Sequence, residues 1–216
     1  MANQRLKAIQ EYARQVLATD HSGHGFDHIK RVAALASRLA ELTPAANRFI
    51  VEAAAWLHDT YDDKLFEDPV AAKANTIAAM TKMGVTIQEQ DQIVAIIDRM
   101  SYRHNLDYHE SLSLEGQLVQ DADRLDAIGA IGIGRTFFYG GAHDGVMYDP
   151  TIAPRTELSG DAYRNAESTV INHFYEKLLL LAEQMNTPAA KQLAQHRQQV
   201  MLTFLDEFKA EWQGKR

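Results

Sequence analysis

The sequence contains no cysteine, which excludes disulfides, thiolate nucleophiles and Cys-ligated zinc or iron–sulfur centres. Any metal the chain holds must be bound through nitrogen and oxygen. Long apolar runs are missing too: none approaches the roughly 18 residues needed to span a bilayer. The start, Met1-Ala2-Asn3-Gln4-Arg5, is amphipathic rather than a signal sequence, so we expect a cytoplasmic protein with no membrane partner. Positive charge is scarce, with 22 basic against 29 acidic side chains and a net charge of −7. That balance argues against a general nucleic-acid partner, because a polyanion groove needs a basic footprint. A small phosphorylated substrate needs only local cations. β alternation of any length is also absent. The expected fold is therefore all-α, one domain over residues 1–216, and 46% apolar residues suffice for a full core.

What is present is a series of apolar stripes at helical spacing. The first helix is expected over 3–18, with Leu6, Ile9, Ala13, Val16 and Leu17 on one side, and it ends at the glycine-punctuated loop His21-Ser22-Gly23-His24-Gly25. A second runs from Phe26 to about Leu42, its inward positions being His28, Val32, Leu35, Leu39 and Leu42, with Asp27 as its N-terminal cap. A third covers 47–59. Pro69 opens a fourth over 69–83 that stops at Gly84, and Thr86 caps a fifth reaching Met100 with Ile93, Ile96 and Ile97 inward. The polar segment 101–111 reads as a surface loop and candidate lid. A sixth helix from Leu112 carries Leu114, Leu118, Val119, Ala122 and Leu125. In the following run, Gly129, Gly132 and Gly134 lack the spacing and the preceding strand of a dinucleotide fingerprint, so they read as close helix approaches. Residues 138–160 read as a long irregular excursion. Two long helices, 161–185 and 188–213, are expected to form a C-terminal hairpin joined at Thr187-Pro188. A coiled-coil dimer arm is the rival use of those stripes, which leaves a homodimer open as a partner.

Two of these helices are chemically odd. The third ends in Ala53-Ala54-Ala55-Trp56-Leu57-His58-Asp59, and His58 continues the inward face through Ala54 and Leu57. Asp62 and Asp63 follow within a turn. Carboxylates crowded into a half-buried place need a cation, either a divalent metal or arginines. His28 begins the second helix's inward stripe as His58 ends its own, so two imidazoles point toward one core. The sixth helix carries Asp121, Asp123 and Asp126 on an otherwise apolar frame. Two imidazoles with two carboxylates make a hard, mixed N/O site suited to Mn²⁺, Mg²⁺, Fe²⁺ or Co²⁺. Spacing alone leaves the choice between Asp121 and Asp123 open, because one aligns with Leu118 and the other with Val119.

These residues, His28, the doublet His58-Asp59 and an aspartate in Asp121-Ala122-Asp123-Arg124-Leu125-Asp126, resemble the H…HD…D signature of the HD-domain superfamily of metal-dependent phosphohydrolases. The likeness extends to Gly23-His24-Gly25-Phe26-Asp27-His28, the run Asp121 to Arg135 and the terminal hairpin, with the HD core over about 20–135 and the hairpin over about 161–213. It points to the small single-domain bacterial branch, whose members include Mn²⁺-dependent nucleoside triphosphate pyrophosphohydrolases.

The resemblance implies that His28, His58, Asp59 and Asp123 are the metal ligands, the last because it sits in Ala122-Asp123-Arg124-Leu125. Asp121 then orients a ligand. It also implies that Asp62, three residues after the doublet, orients or deprotonates the attacking water, with Asp63 as the spare carboxylate. The expected chemistry is in-line attack of a metal-activated water on phosphorus. Arg31, Lys64, Arg99, Arg103, Arg124 and Arg135 are the cations available to phosphate oxygens, and His24 is a donor or acid. His143, His173 and His196 read as structural or exposed. His104 and His109 raise the two-metal rivals, a phosphodiesterase or a di-iron oxygenase, although no further histidine directly follows the doublet. A 5′-nucleotidase is the other rival at this site.

Overall fold

A computed structural model of the chain describes residues 2–18, 25–63, 65–100, 111–155 and 168–216. Among these, the structure is all α-helical: α1 Ala2–Leu17, α2 Phe26–Glu41, α3 Arg48–Leu57, α4 Pro69–Lys82, α5 Ile87–Met100, α6 Leu114–Asp126, α7 Gly129–Ala142, α8 Val170–Glu176 and α9 Pro188–Trp212, with a single 3₁₀ turn at Leu178–Leu180. No helix among the described residues is long and apolar enough to cross a membrane. The chain separates into two compact units, Met1–Ala122 and Asp123–Arg216, and the boundary falls inside α6.

The N-terminal unit is built on α3. Ala53, Ala54, Ala55 and Leu57 are fully buried, because small side chains let α1, α2 and α5 all pack against this one helix. The caps follow local rules. Asn47 accepts from the Phe49 and Ile50 amides at the start of α3, and Asp68 caps α4 ahead of Pro69. Thr86 and Glu89 form a reciprocal capping box on α5: the Thr86 amide donates to Glu89 Oε2 at 2.8 Å and the Glu89 amide to Thr86 Oγ1 at 3.3 Å. Arg5 of α1 binds the same carboxylate, Nη1 to Oε2 at 2.7 Å, and this hydrogen bond leads the effects that hold Glu89 below the usual carboxylate range.

α2 and α3 form an antiparallel helical hairpin, clasped where Ser37 and Arg48 both bind Glu52 and where Phe26 packs on Trp56. The hairpin sets the start of α2 beside the end of α3. Two expectations for α2 fail. Asp27 is not its cap: Gly25 occupies that position without a side-chain bond, and Asp27 lies in the first turn instead, where a carboxylate suits the helix dipole. Leu42 is not inward but 60% exposed, since α2 has ended by Glu41.

The C-terminal unit packs α7 against α8 and α9 around an aromatic cluster of Phe137, Phe174, Phe204 and Phe208. The expected irregular excursion begins later than 138, because α7 continues to Ala142 despite its glycines. Tertiary packing overrides their weak helix propensity there. The chain beyond α7 then serves as the cap of α8: the Val146 and Met147 carbonyls accept the Val170 and Ile171 amides at 2.9 and 3.1 Å, which are otherwise unsatisfied at a helix start. The first arm of the expected hairpin is not one long helix. Its described part is the short α8, a break at Lys177 (φ −140°, ψ −59°) and the 3₁₀ turn; residues 161–167 lie outside the described residues. Val170, Phe174, Leu178, Leu181 and Met185 are buried as expected even so.

Candidate active site

His28 is the third residue of α2 and His58 directly follows α3, so the antiparallel hairpin brings their rings together from opposite chain directions. Both are buried, as is Asp59. The His28 and His58 Nε2 atoms lie 3.3 Å apart, with ring centroids 5.2 Å apart at a steep 72°. Asp59 bridges the pair: Oδ1 is 3.3 Å from His58 Nε2 and Oδ2 is 3.6 Å from His28 Nε2.

Three donor atoms therefore surround one small space, all within 4.8 Å of one another. Adjacent ligands of an octahedral ion with bonds of about 2.1 Å stand about 3 Å apart, close to the 3.3 Å between the two Nε2 atoms and to the distance from each Nε2 to its nearer Asp59 oxygen. The donor chemistry agrees. His58 Nδ1 lies 2.9 Å from the Ala55 carbonyl, which can only accept, so Nδ1 carries a proton and Nε2 is the nitrogen left facing His28 to bind a metal through its lone pair. A nitrogen lone pair and a carboxylate converging in a buried place fit a divalent cation. His28, His58 and Asp59 would hold it. The Ala55 carbonyl sets the histidine tautomer, as outer partners of metal-bound histidines do.

The turn after the doublet is fixed residue by residue. The Thr60 hydroxyl donates to the Leu57 carbonyl at 2.7 Å, Tyr61 Oη donates to Asp98 Oδ1 at 3.3 Å, and Lys73 binds the other oxygen of Asp98 at 2.6 Å. Burial, helped by the Asp98 charge, pushes the Tyr61 phenol far above its ordinary value, so it remains a donor. Sequence reasoning missed Ala55, Thr60 and Tyr61. Their signal was the end of α3 itself, since the last carbonyls of any helix must find donors outside it.

Asp62 lies half-buried within one turn of the doublet, its amide 3.4 Å from the Asp59 carbonyl, and Asp63 is exposed. Asp121 is fully buried on α6, and Asp123 sits half-buried on the last turns of the same helix. Among the expected phosphate-binding cations, Arg31 is half-buried and bound to Asp27 at 2.6 Å. Burial works to raise the Asp27 carboxyl, and the hydrogen bond and charge of Arg31 overcome it, so Asp27 stays below its usual range. Arg99 is exposed at the mouth of a small cavity of about 130 Å³ with Glu115 and Ser113. Arg124 donates to the carbonyl of the exposed Gln184 and Arg135 to Oδ2 of the buried Asp126 at 2.9 Å. His24, Lys64, Arg103, His104 and His109 lie outside the described residues.

Residues 25–128 match the HD domain family. Among solved structures, a protein from Lactobacillus plantarum is 52% identical at a TM-score of 0.88, covering 97% of each chain. An HD-superfamily hydrolase from Bacillus thuringiensis is 41% identical at 0.77, covering 99% of each. YpgQ of Bacillus subtilis, in complex with ADP, is 34% identical at 0.76, covering 97% of this chain and 96% of its own. With the His–His–Asp cluster at the end of its central helix and relatives of this likeness over nearly its full length, the chain belongs to the HD superfamily of metal-dependent hydrolases.

Proposed function

We propose that this hydrolase acts on nucleotides, cleaving nucleoside or deoxynucleoside triphosphates to the monophosphate and pyrophosphate. The observation that carries the reading is the convergence of His28 Nε2, His58 Nε2 and the Asp59 carboxylate on one buried point. The ADP complex of the related YpgQ supports a nucleotide as the ligand class, and an octahedral N/O donor set favours Mn²⁺ over softer ions.

A divalent ion held there would supply Lewis-acid polarisation of a phosphate oxygen and a lowered pKa for water. Asp123, from the family likeness, is the proposed fourth ligand. Asp62 is proposed to orient the attacking water and take its proton, and Asp63 is its reserve. Burial of the triad keeps bulk water away from the reacting groups. In the balanced reaction, water oxygen bonds to the α-phosphorus, the α–β anhydride bond breaks, and pyrophosphate leaves with the bond pair. Arg31 and Arg99, with His24, Lys64 and Arg103, are the proposed charge partners of the phosphates.

The test is a panel of ribo- and deoxyribonucleotides assayed with Mn²⁺ and again after chelation, with products identified. Monophosphate plus pyrophosphate, lost on chelation and in His58→Ala, supports the proposal. Nucleoside plus phosphate, or diphosphate plus phosphate, would overturn it in favour of a phosphatase. Asp62→Asn should lower kcat by 10²-fold or more while leaving metal affinity nearly intact.

A further inference from the structure

Thr60, next in sequence to the doublet, is wholly buried, and so is Thr76 of α4. Buried hydroxyls require partners, and these two find each other: Thr76 Oγ1 lies 3.2 Å from Thr60 Oγ1. On its other side Thr76 meets Tyr12 Oη of α1 at 3.1 Å, and the Ala72 carbonyl of its own helix at 3.0 Å offers a second acceptor. Thr60 passes its proton to the Leu57 carbonyl at 2.7 Å, which also takes the Thr60 amide at 3.0 Å. One direction of donation links the three hydroxyls, Tyr12 to Thr76, Thr76 to Thr60 and Thr60 to the Leu57 carbonyl, with the single Thr76 proton shared between Thr60 Oγ1 and the Ala72 carbonyl.

The location of this chain matters. Two carbonyls of the last turn of α3, Ala55 and Leu57, stand just ahead of the doublet. His58 Nδ1 takes the first and Thr60 takes the second twice over. The peptide unit that follows Asp59 is thereby tied at both ends, its Thr60 amide to the Leu57 carbonyl at 3.0 Å and its Asp59 carbonyl to the Asp62 amide at 3.4 Å. Side chains held in place by packing and outer hydrogen bonds are what give a metal site its geometry.

We infer that the hydroxyl chain Tyr12–Thr76–Thr60 is a positioning device for the metal site, holding the Asp59 carboxylate against the two imidazoles from outside the ligand set. Thr60 and Thr76 are positioning residues: both hydroxyls are buried and bonded within the protein, and each acts through the backbone that carries Asp59. The inference rests on the triad being a metal site.

The experiment measures Mn²⁺ affinity of the full chain by titration at 25 °C, with no substrate present, beside the thermal midpoint of each variant. Thr60→Val and Thr76→Val keep the side-chain shape and remove the hydroxyl; Tyr12→Phe removes the far end. We expect Thr60→Val to weaken Mn²⁺ binding by about 10-fold, within the 10–100-fold span of outer-sphere partners, and Thr76→Val and Tyr12→Phe to weaken it less. Thr60→Ser and Thr76→Ser should restore affinity to nearly that of the parent. The double variant Thr60→Val/Thr76→Val should be no worse than Thr60→Val alone, because the two act in series. Should Thr60→Val fail to fold, Thr76→Val and Tyr12→Phe carry the test. Variants that melt earlier yet bind Mn²⁺ as the parent does would reduce the chain to scaffolding and overturn the inference. A parent that binds no Mn²⁺ would remove the metal site itself, an outcome plainly different from an unaltered affinity in the variants.

Discussion

His28 and His58 face each other through their Nε2 atoms at 3.3 Å, while His58 Nδ1 is committed to the Ala55 carbonyl. With that tautomer fixed, the pair makes one hydrogen bond at most without a cation and two metal bonds with one. A ligand that binds only the folded chain stabilises it, by about 2.7 kcal/mol at one hundred times the dissociation constant. Saturating Mn²⁺ should therefore raise the thermal midpoint of the parent, and EDTA should reverse the rise. In His58→Ala the rise should vanish. An equal rise in that variant would show that the ion binds elsewhere.

Arg135 and Asp126 form a second relationship, one that separates a structural cation from a substrate-binding one. Asp126 is buried and Arg135 binds it at 2.9 Å; the charge of Arg197 also acts on Asp126. Removing one partner of a buried pair leaves the other charge uncompensated, at a cost of 3–5 kcal/mol in the general case. With Arg197 close by, about 3 kcal/mol is expected for Arg135→Met in urea unfolding. KM of the folded fraction should change little. A large rise in KM with unchanged stability would return Arg135 to the substrate.

The legibility of this chain in its sequence was uneven, for physical reasons. His28, His58 and Asp59 were readable because a polar residue on an apolar stripe violates the pattern around it. The hydroxyl chain behind them was not, since Tyr12, Thr60 and Thr76 are far apart in sequence and individually ordinary. The break at Lys177 has neither glycine nor proline to announce it. On α9 the expected stripe through Leu193, Val200, Phe204, Phe208 and Trp212 lies to one side of the buried line Ala190, Ala194, Met201 and Leu205. Large aromatics outweigh small residues in a periodicity count, yet helices approach closest over alanine. Trp212 ends up 51% exposed.

His173 predicts a pH dependence. Burial, with the Lys177 charge added, lowers its pKa from 6.5 to about 3. The unfolded chain therefore takes up a proton below pH 6.5 while the folded chain does not until about pH 3. The stability linked to His173 is complete above pH 6.5 and is lost as pH falls through that window, by up to about 1.4 kcal/mol per pH unit. Urea unfolding at pH 7, 6 and 5 should show a shallower decline for His173→Phe than for the parent. Parallel declines would mean that the ring protonates in the folded state as readily as in the unfolded one.

Gly129 and Gly134 stand five residues apart and should respond in opposite directions to the same substitution. Gly129 starts α7 with φ +76°, and a Cβ there would come within 2.9 Å of Arg197 Cγ. Arg197 cannot easily yield, because it donates to the Leu125 carbonyl at the end of α6 and so joins α9 to that turn. Gly129→Ala combines a left-handed backbone, about 1–2 kcal/mol for a residue bearing a Cβ, with overpacking of about 1–3 kcal/mol, so a loss of about 2–5 kcal/mol is expected. Gly134 is helical, and a Cβ there meets nothing within 4 Å. Gly134→Ala should then gain up to about 1 kcal/mol from helix propensity alone. Chemical denaturation of both variants reads the contrast directly. If Gly129→Ala proved as stable as the parent, the close passage of Arg197 over that turn would have to be abandoned, and the joint between α6 and α9 with it.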